Sequence, residues 1–280
     1  MSKFAQAAPL VPPSPLEGEG WGGGYVASSA HPILPPSRPP STVDLPLKGG
    51  GEREHAARFG IKIAGITLHA DPAGALYWPE HGLLAVADLH LEKGSSFAAR
   101  GQLLPPYDTA VTLAKLTQLV MRYAPRVVVS LGDNFHDGGG PARLGDADRA
   151  ALAALQRGRD WIWITGNHDP EPADGIGGTF HERFALGALT FRHLPGNGAG
   201  EICGHLHPSA RIAHRGRAVR RRCFAADETR IVMPALGAYT GGLNIRDAAF
   251  ADLFGTVKFT AHMLGDDRLY AFPAKRCLPD

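Results

Sequence analysis

The 280-residue chain is 44% hydrophobic with a net charge of +2. It is long and apolar enough for one large domain or two small ones, and its charge balance neither requires nor excludes a nucleic-acid partner. No stretch approaches the ~18–20 apolar residues of a membrane span, and Lys3 has no sustained apolar run behind it, so neither a membrane segment nor a secretory signal is expected.

Residues 1–58 are rich in proline and glycine and lack apolar periodicity. Such a segment cannot bury enough surface to offset its ordering entropy, and it reads as a disordered extension. Pro15-Leu16-Glu17-Gly18-Glu19-Gly20 is echoed by Pro46-Leu47-Lys48-Gly49-Gly50-Gly51, as in translated bacterial intergenic repeats. The native start is therefore expected nearer residues 55–60; a genuine flexible tail is the alternative. Residues 59–280 form the expected folded domain. Residues 61–69 alternate and predict a strand. Short strands follow at 75–78 and 83–87, around a Pro79-Glu80-His81-Gly82 turn. Asp108 is placed to cap a helix running to about Tyr123, with Val111, Leu113, Leu116, Leu119 and Val120 as its apolar face and Pro125 as its stop. Residues 126–131 read as a buried strand. Asp146–Gln156 reads as a second helix on Ala150, Leu152 and Leu155, with Gly158 at its end. Strands follow at 161–165 and 186–192, and after residue 200 the pattern is short strands and turns. Strands alternating with helices, flanked by β-rich segments, predict an α/β fold: a layered β-sandwich flanked by helices.

Four motifs carry chemistry. Asp88-Leu89-His90 ends the 83–87 strand, where a period of two puts carboxylate and imidazole on one side; a strand-end turn capped by aspartate is the bland alternative. Gly132-Asp133-Asn134 ends the 126–131 strand, and the glycine lets the chain turn sharply past the sheet edge. Asp133 there can bridge two metals, since it offers two oxygens and a full negative charge. Gly166-Asn167-His168-Asp169 ends the 161–165 strand. Asn167 offers a carbonyl ligand, His168 can protonate a leaving oxygen or hold a phosphate oxygen, and Asp169 can orient His168. Gly204-His205-Leu206-His207 supplies a pair of imidazoles two residues apart, without a clear apolar run before it. Three strands delivering polar residues at their carboxyl ends match where open α/β sheets bind ligands. The donors can hold two divalent metals, most often a phosphoester-hydrolysing pair. Mixed oxygen and nitrogen ligands suit Mn²⁺, Fe or Zn²⁺.

These motifs resemble the calcineurin-like metallophosphoesterase superfamily over roughly residues 60–250. The resemblance implies a metallophosphoesterase-like fold. It also implies one metal on Asp88, His90, Asp133 and His207, another on Asp133, Asn167, His193 and His205, and His168 as the catalytic histidine. His136 and Asp137 stand near enough to support these groups. A narrower likeness lies in Ala87-Asp88-Leu89-His90-Leu91-Glu92-Lys93-Gly94, Leu104-Pro105-Pro106-Tyr107-Asp108-Thr109, Gly204-His205-Leu206-His207-Pro208 and Gly237-Ala238-Tyr239-Thr240-Gly241-Gly242-Leu243-Asn244. Together they resemble the bacterial ligase-associated DNA damage response endonuclease family. That likeness implies Mn²⁺, a phosphodiester substrate such as DNA, and a setting beside a DNA ligase and a helicase.

The substrate stays open between nucleic acid and a small phosphoester. Arg211, Arg215, Arg217, Arg220, Arg221 and Arg222 follow His207 closely; in a hairpin, alternate arginines would line one face beside the metals. The alternative is a solvated strand edge whose charges block aggregation. Arg100, with Lys93, Ser95 and Ser96, is a second candidate substrate contact, and Tyr239 and Asn244 could border the site. A third reading is a non-catalytic binding module on the same fold, but such a chain should have lost ligands or His168. Cys203, Cys223 and Cys277 are odd in number and widely spaced, which points to a reducing, cytoplasmic compartment rather than a disulfide framework. Cys203 reads as a small buried residue rather than a ligand.

Overall fold

Ala64 and Gly65 both take positive φ, 49° and 79°, the geometry of a tight two-residue hairpin turn. The run expected as one strand over 61–69 therefore folds back on itself as β1 (Gly60–Ile63) and β2 (Ile66–Ala70). The computed structural model describes residues 59–255 and 258–280. The disordered extension expected at 1–58 lies outside them.

Strands β3 (Leu76–Trp78) and β4 (Leu83–Val86) follow, then helices α1 (Lys93–Ala98) and α2 (Asp108–Tyr123) and strand β5 (Val127–Leu131). Helices α3 (Gly140–Arg143) and α4 (Asp146–Gln156) lead to β6 (Asp160–Ile164) and β7 (Thr179–His181). These seven strands form one sheet in chain order, antiparallel from β1 to β4 and parallel from β4 to β7. The second sheet takes β8 (Arg183–Leu186), β9 (Leu189–Arg192), β10 (Glu201–Cys203), β11 (Pro208–His214), β12 (Arg217–Ala226) and β13 (Arg230–Val232). It is completed by β14 (Leu243–Asn244), β15 (Thr260–Leu264) and β16 (Leu269–Pro273), with α5 (Ala248–Phe254) between β14 and β15. The strand expected over 186–192 is the turn and second arm of the β8–β9 hairpin.

Strand periodicity assigns each side chain to a layer. Leu83, Ala85, Val129, Leu131, Ile162 and Ile164 face the second sheet and meet Phe191, Ile202, Phe224 and Ile231 in the inter-sheet core. Their neighbours Leu84, Val86, Val128, Trp161 and Trp163 face the other way, onto Leu113, Leu116, Leu119 and Val120 of α2 and Leu152 and Leu155 of α4. On the outer face of the second sheet, Phe250 and Phe254 of α5 pack on Cys223, Ala225 and Met263. The result is helices, sheet, sheet, helix. Each fully buried Leu or Phe contributes about 1.5–3 kcal/mol to holding those layers together.

Three local expectations change. Asp108 lies inside α2 and does not cap it; its carboxylate accepts from Gly94 N at 3.1 Å and ties α2 to the start of α1. Val111 is 44% exposed, and Thr112 turns inward in its place. Ala150 is exposed on α4. Ala124 in the left-handed region and Pro125 after it end α2 as expected. Among the described residues, no helix is long and apolar enough to cross a membrane.

Candidate metal centre

Because β4, β5 and β6 run parallel in neighbouring positions, their carboxyl ends open on one edge of the first sheet. Asp88, Asp133 and Asn167 leave from those ends. The second sheet delivers the remaining donors at the same edge: His193 follows β9, and His205 and His207 follow β10. Strand β10 was not legible in the sequence, being three residues long with a buried Glu201 at its start. All four motifs therefore follow strands.

The side chains do not converge by strand periodicity. Asp88, His90, Asp133, His205 and His207 have positive φ values of 52°, 43°, 46°, 70° and 45°. Left-handed backbone is rare for non-glycine residues and strained where it occurs, and such strain clusters at functional sites. Successive left-handed kinks turn both Asp88 and His90 into the cleft, where an extended strand end would do so by alternation.

Two donor groups share one carboxylate. Asp88, His90, Asp133 and His207 form the first, and Asp133, His193 and His205 the second. Asp133 Oδ2 lies 3.7 Å from His90 Nε2, while Asp133 Oδ1 lies 3.3 Å from His193 Nε2. His90 Nε2 and His207 Nε2 are 3.3 Å apart, and His207 Nε2 is 3.4 Å from Asp88 Oδ1. Asn167 Oδ1 sits 2.9 Å from His193 Nε2, which is 3.2 Å from His205 Nδ1. Asp88 and Asp133 also accept the backbone N–H groups of His205 and His168. The loops thus fix the carboxylates in place.

The proton inventory of these atoms fits cations. Burial, reinforced by His207, His168, His136 and Lys93, drops His90 to a pKa of about 2, so its imidazole is neutral. Burial also lowers His205, with His193 adding to the shift. His193 Nδ1 donates to Leu131 O at 2.9 Å, so in the neutral ring Nε2 is a bare lone pair. That lone pair faces Asp133 Oδ1 and Asn167 Oδ1, two further acceptors. Acceptors gathered on acceptors call for a positive charge between them, and imidazole with carboxylate is a donor set for Mn²⁺, Fe or Zn²⁺.

His168 is 39% exposed in its side chain and faces this cleft, Nε2 lying 3.9 Å from Asp133 Oδ2. Its Nδ1 pairs with His136 O at 2.8 Å. A carbonyl only accepts, so Nδ1 carries the proton and Nε2 is left for the cleft. This corrects the role expected of Asp169. Its Oδ2 accepts from Asn134 N and Phe135 N, at 2.9 and 3.2 Å, and its Oδ1 from Gly166 N at 3.0 Å. Asp169 therefore joins the loop bearing Asp133 to the loop bearing Asn167, and the His136 carbonyl orients His168. Burial pushes Asp169 up to about 6, with Asp133 adding to the shift, against those hydrogen bonds. The His136 ring stacks on His168, with centroids 5.2 Å apart.

Expected substrate contacts fare differently. Arg100, at the end of α1, is exposed and lies 3.9 Å from Asp137. Lys93 donates to Tyr239 O, and Ser95 bridges Glu92 and Arg143. Arg211 donates to Pro279 O. Arg215 sits at the turn of the β11–β12 hairpin with φ 48°. Seven residues of strand separate His207 from that turn, roughly 20 Å at about 3.3 Å per residue, so Arg215 is not beside the metal ligands. Glu92 had no role in the sequence reading. Its buried carboxylate accepts from Thr109 and Ser95 and holds the loop after His90 against α2.

Among curated proteins, no relative matches the chain. Among solved structures, Pseudomonas putida nuclease MPE is 26% identical over 75% of this chain and 98% of its own, with a TM-score of 0.57. The E. coli phosphoesterase Yfce is 14% identical over 68% of this chain and 97% of its own; its TM-score of 0.34 is too low to carry an argument. The family model for calcineurin-like phosphoesterases matches residues 82–229. That span opens at the strand delivering Asp88 and closes beyond His207, so the whole donor cluster lies within it, and the chain belongs to the calcineurin-like phosphoesterase family.

Proposed function

We propose that this metal-dependent phosphoesterase is a dinuclear phosphodiesterase of the nuclease type, with residues 59–280 as one catalytic domain. The observation that carries the dinuclear reading is Asp133, whose two oxygens face two different donor groups. In this reading one metal takes Asp88, His90, Asp133 and His207, and the other takes Asp133, Asn167, His193 and His205. Mn²⁺ is the expected metal. When bound, such a pair supplies Lewis-acid charge to phosphoryl oxygens and lowers the pKa of water. His168 has its Nδ1 proton committed to a carbonyl, so in the doubly protonated imidazolium it is Nε2–H that would donate to a phosphate oxygen or pass its proton to the leaving oxygen. Left-handed backbone at five of the donors holds them in position before substrate arrives.

The likeness to nuclease MPE, over 98% of that chain, supports a nucleic-acid phosphodiester, DNA by the motif resemblance. A DNA-repair setting beside a ligase and a helicase rests on the same resemblance. Three free, buried cysteines support a cytoplasmic site of action. The second reading, a small phosphoester substrate, is favoured by the internal occupation of an arginine of the β11–β12 hairpin: Arg211 donates to Pro279 O.

The test is Mn²⁺-dependent hydrolysis by wild type, Asp133→Ala and His168→Ala. The substrates are a chromogenic phosphodiester, a phosphomonoester, and single- and double-stranded DNA. Asp133→Ala should lose both metal loading and turnover, and His168→Ala should lose turnover while keeping metal. Full activity with retained metal in Asp133→Ala would refute the dinuclear site. Small-ester hydrolysis with DNA left intact would favour the second reading, and metal-loaded protein inert on every substrate would favour a binding module.

A further inference from the structure

The β11–β12 hairpin places Arg211 directly opposite Arg220, and Arg222 opposite Ser209, on one face of the sheet. Like charges facing each other across a strand pair are unfavourable unless an anion compensates them. The row starts beside the metal cluster. Arg222 donates to Ala235 O, and the next two residues of that segment, Leu236 and Gly237, bond through N–H to Ala87 O and Asp88 O. It continues outward to Arg220 and Arg211.

An anion does compensate the row, and it belongs to the chain itself. Asp280 Oδ1 accepts from Arg220 Nη1 and from Asn244 Nδ2, each at 3.0 Å. Asn244 is 4% exposed and paired in register with Ser209, two residues beyond His207. Arg220 Nε and Nη2 are fixed on Ser209 Oγ and Gly242 O, which aims Nη1 at the carboxylate. Arg211 meanwhile holds the same segment through Pro279 O and Leu278 N. This is a formed oxyanion site: a buried amide and an oriented guanidinium. It lies about 7 Å along the strand from His207. Its occupant is weakly held, because the side chains of Arg220 and Asp280 are 44% and 57% exposed and an ion pair that open contributes little.

We propose that the Arg220–Asn244 site binds a phosphate of a nucleic-acid strand extending past the scissile phosphate, and that the Asp280 carboxylate fills it until such a strand arrives. Successive phosphates of one strand advance about 3.4 Å along a duplex axis, so a site ~7 Å from His207 suits a phosphate one or two positions away. The proposal rests on the nuclease reading above and deepens it: a single-phosphate ester would not reach the site.

The experiment measures kcat and KM for an oligodeoxynucleotide and for a chromogenic phosphodiester, in wild type, Asp280→Asn, Arg220→Gln and the double variant. Asp280→Asn should lower the oligonucleotide KM about threefold to fivefold. Arg220→Gln should raise it about tenfold and reduce the slope of log affinity on log salt by about 1. The double variant should behave like Arg220→Gln alone, and none should alter the small diester. Unchanged oligonucleotide KM in Asp280→Asn, or independent effects that simply add, would overturn the proposal. So would turnover of the small diester without turnover or binding of the oligonucleotide. If neither substrate turns over, the enzymatic reading itself fails. Fluorescence anisotropy of the dye-labelled oligonucleotide still reads the site in that case, and an affinity unmoved by Asp280→Asn would sink it.

Discussion

Gly132→Ala tests how tightly the backbone is pressed against the metal ligands. A Cβ at Gly132 would sit 2.5 Å from His193 Cγ and 2.6 Å from its Nδ1, whereas ordinary van der Waals contact begins near 3.4 Å. The ring would have to retreat by about 0.9 Å. It is anchored by Nδ1 to Leu131 O at 2.9 Å, and that bond would not survive the movement. Losing it costs about 1 kcal/mol. Alanine at φ 76° costs about 1–2 kcal/mol more. We expect a loss of about 2–3 kcal/mol in stability. A displacement near 1 Å of a group that positions the chemistry should cost about a hundredfold in kcat. The assay pairs Mn²⁺ titration with hydrolysis of a chromogenic phosphodiester, and urea unfolding measures the stability. Gly138→Ala is the control, since its Cβ would meet nothing within 4 Å and its φ is not positive. Wild-type metal affinity and turnover in Gly132→Ala, with the control equally silent, would refute the claim that this glycine exists to seat His193.

Further outcomes follow from the same geometry. Asp169→Ala removes the acceptor for three backbone N–H groups and should cost about 3 kcal/mol or more in unfolding free energy together with metal loading. A stable, metal-loaded variant that is merely slow would instead restore Asp169 to the orientation of His168. Asp71 is buried and accepts from Arg122, Tyr123 and the Ala73 N–H, none of which is a metal donor. Asp71→Ala should lower stability by about 2–3 kcal/mol while leaving kcat unchanged, and a matching loss of kcat would contradict the separation of frame and site. Burial lowers His262 from 6.5 to about 4. Below pH 6.5 the unfolded chain takes up a proton that the folded chain refuses, so stability falls as pH drops toward 4. The loss approaches about 3 kcal/mol at about 1.36 kcal/mol per unit. Between pH 7 and pH 4, urea unfolding of the wild type should therefore lose about 3 kcal/mol more stability than that of His262→Gln; parallel curves would refute the assignment.

Much of the first sheet is legible in the residues. The apolar runs ending at Val86, Leu131 and Ile164 identify parallel strands because only burial on both faces tolerates such continuous apolarity. Asp146–Gln156 is legible from its period. The second sheet is less so. Strand β10 is too short to show a period, and the β1–β2 and β8–β9 hairpins hide their turns inside apolar runs. Arg211, Arg220 and Arg222 show as charge in the sequence. Their partners are a carbonyl of Pro279, the carboxylate of Asp280 and a carbonyl of Ala235, groups that no local pattern announces.

Apart from His193, which only the family resemblance implies, the sequence by itself determines which donors exist, Asp88, His90, Asp133, Asn167, His205 and His207, and that three of its motifs stand where apolar strands stop. That much follows from residue chemistry and hydrophobic period, both local properties. Only the tertiary structure decides that these donors form two groups sharing Asp133, that left-handed backbone aims five of them, and that Asp169 staples two loops while a carbonyl orients His168. Those features depend on β4, β5 and β6 of one sheet meeting β9 and β10 of another at a common edge. Contacts between segments more than a hundred residues apart, such as Asp88 with His205, are set by how the layers pack.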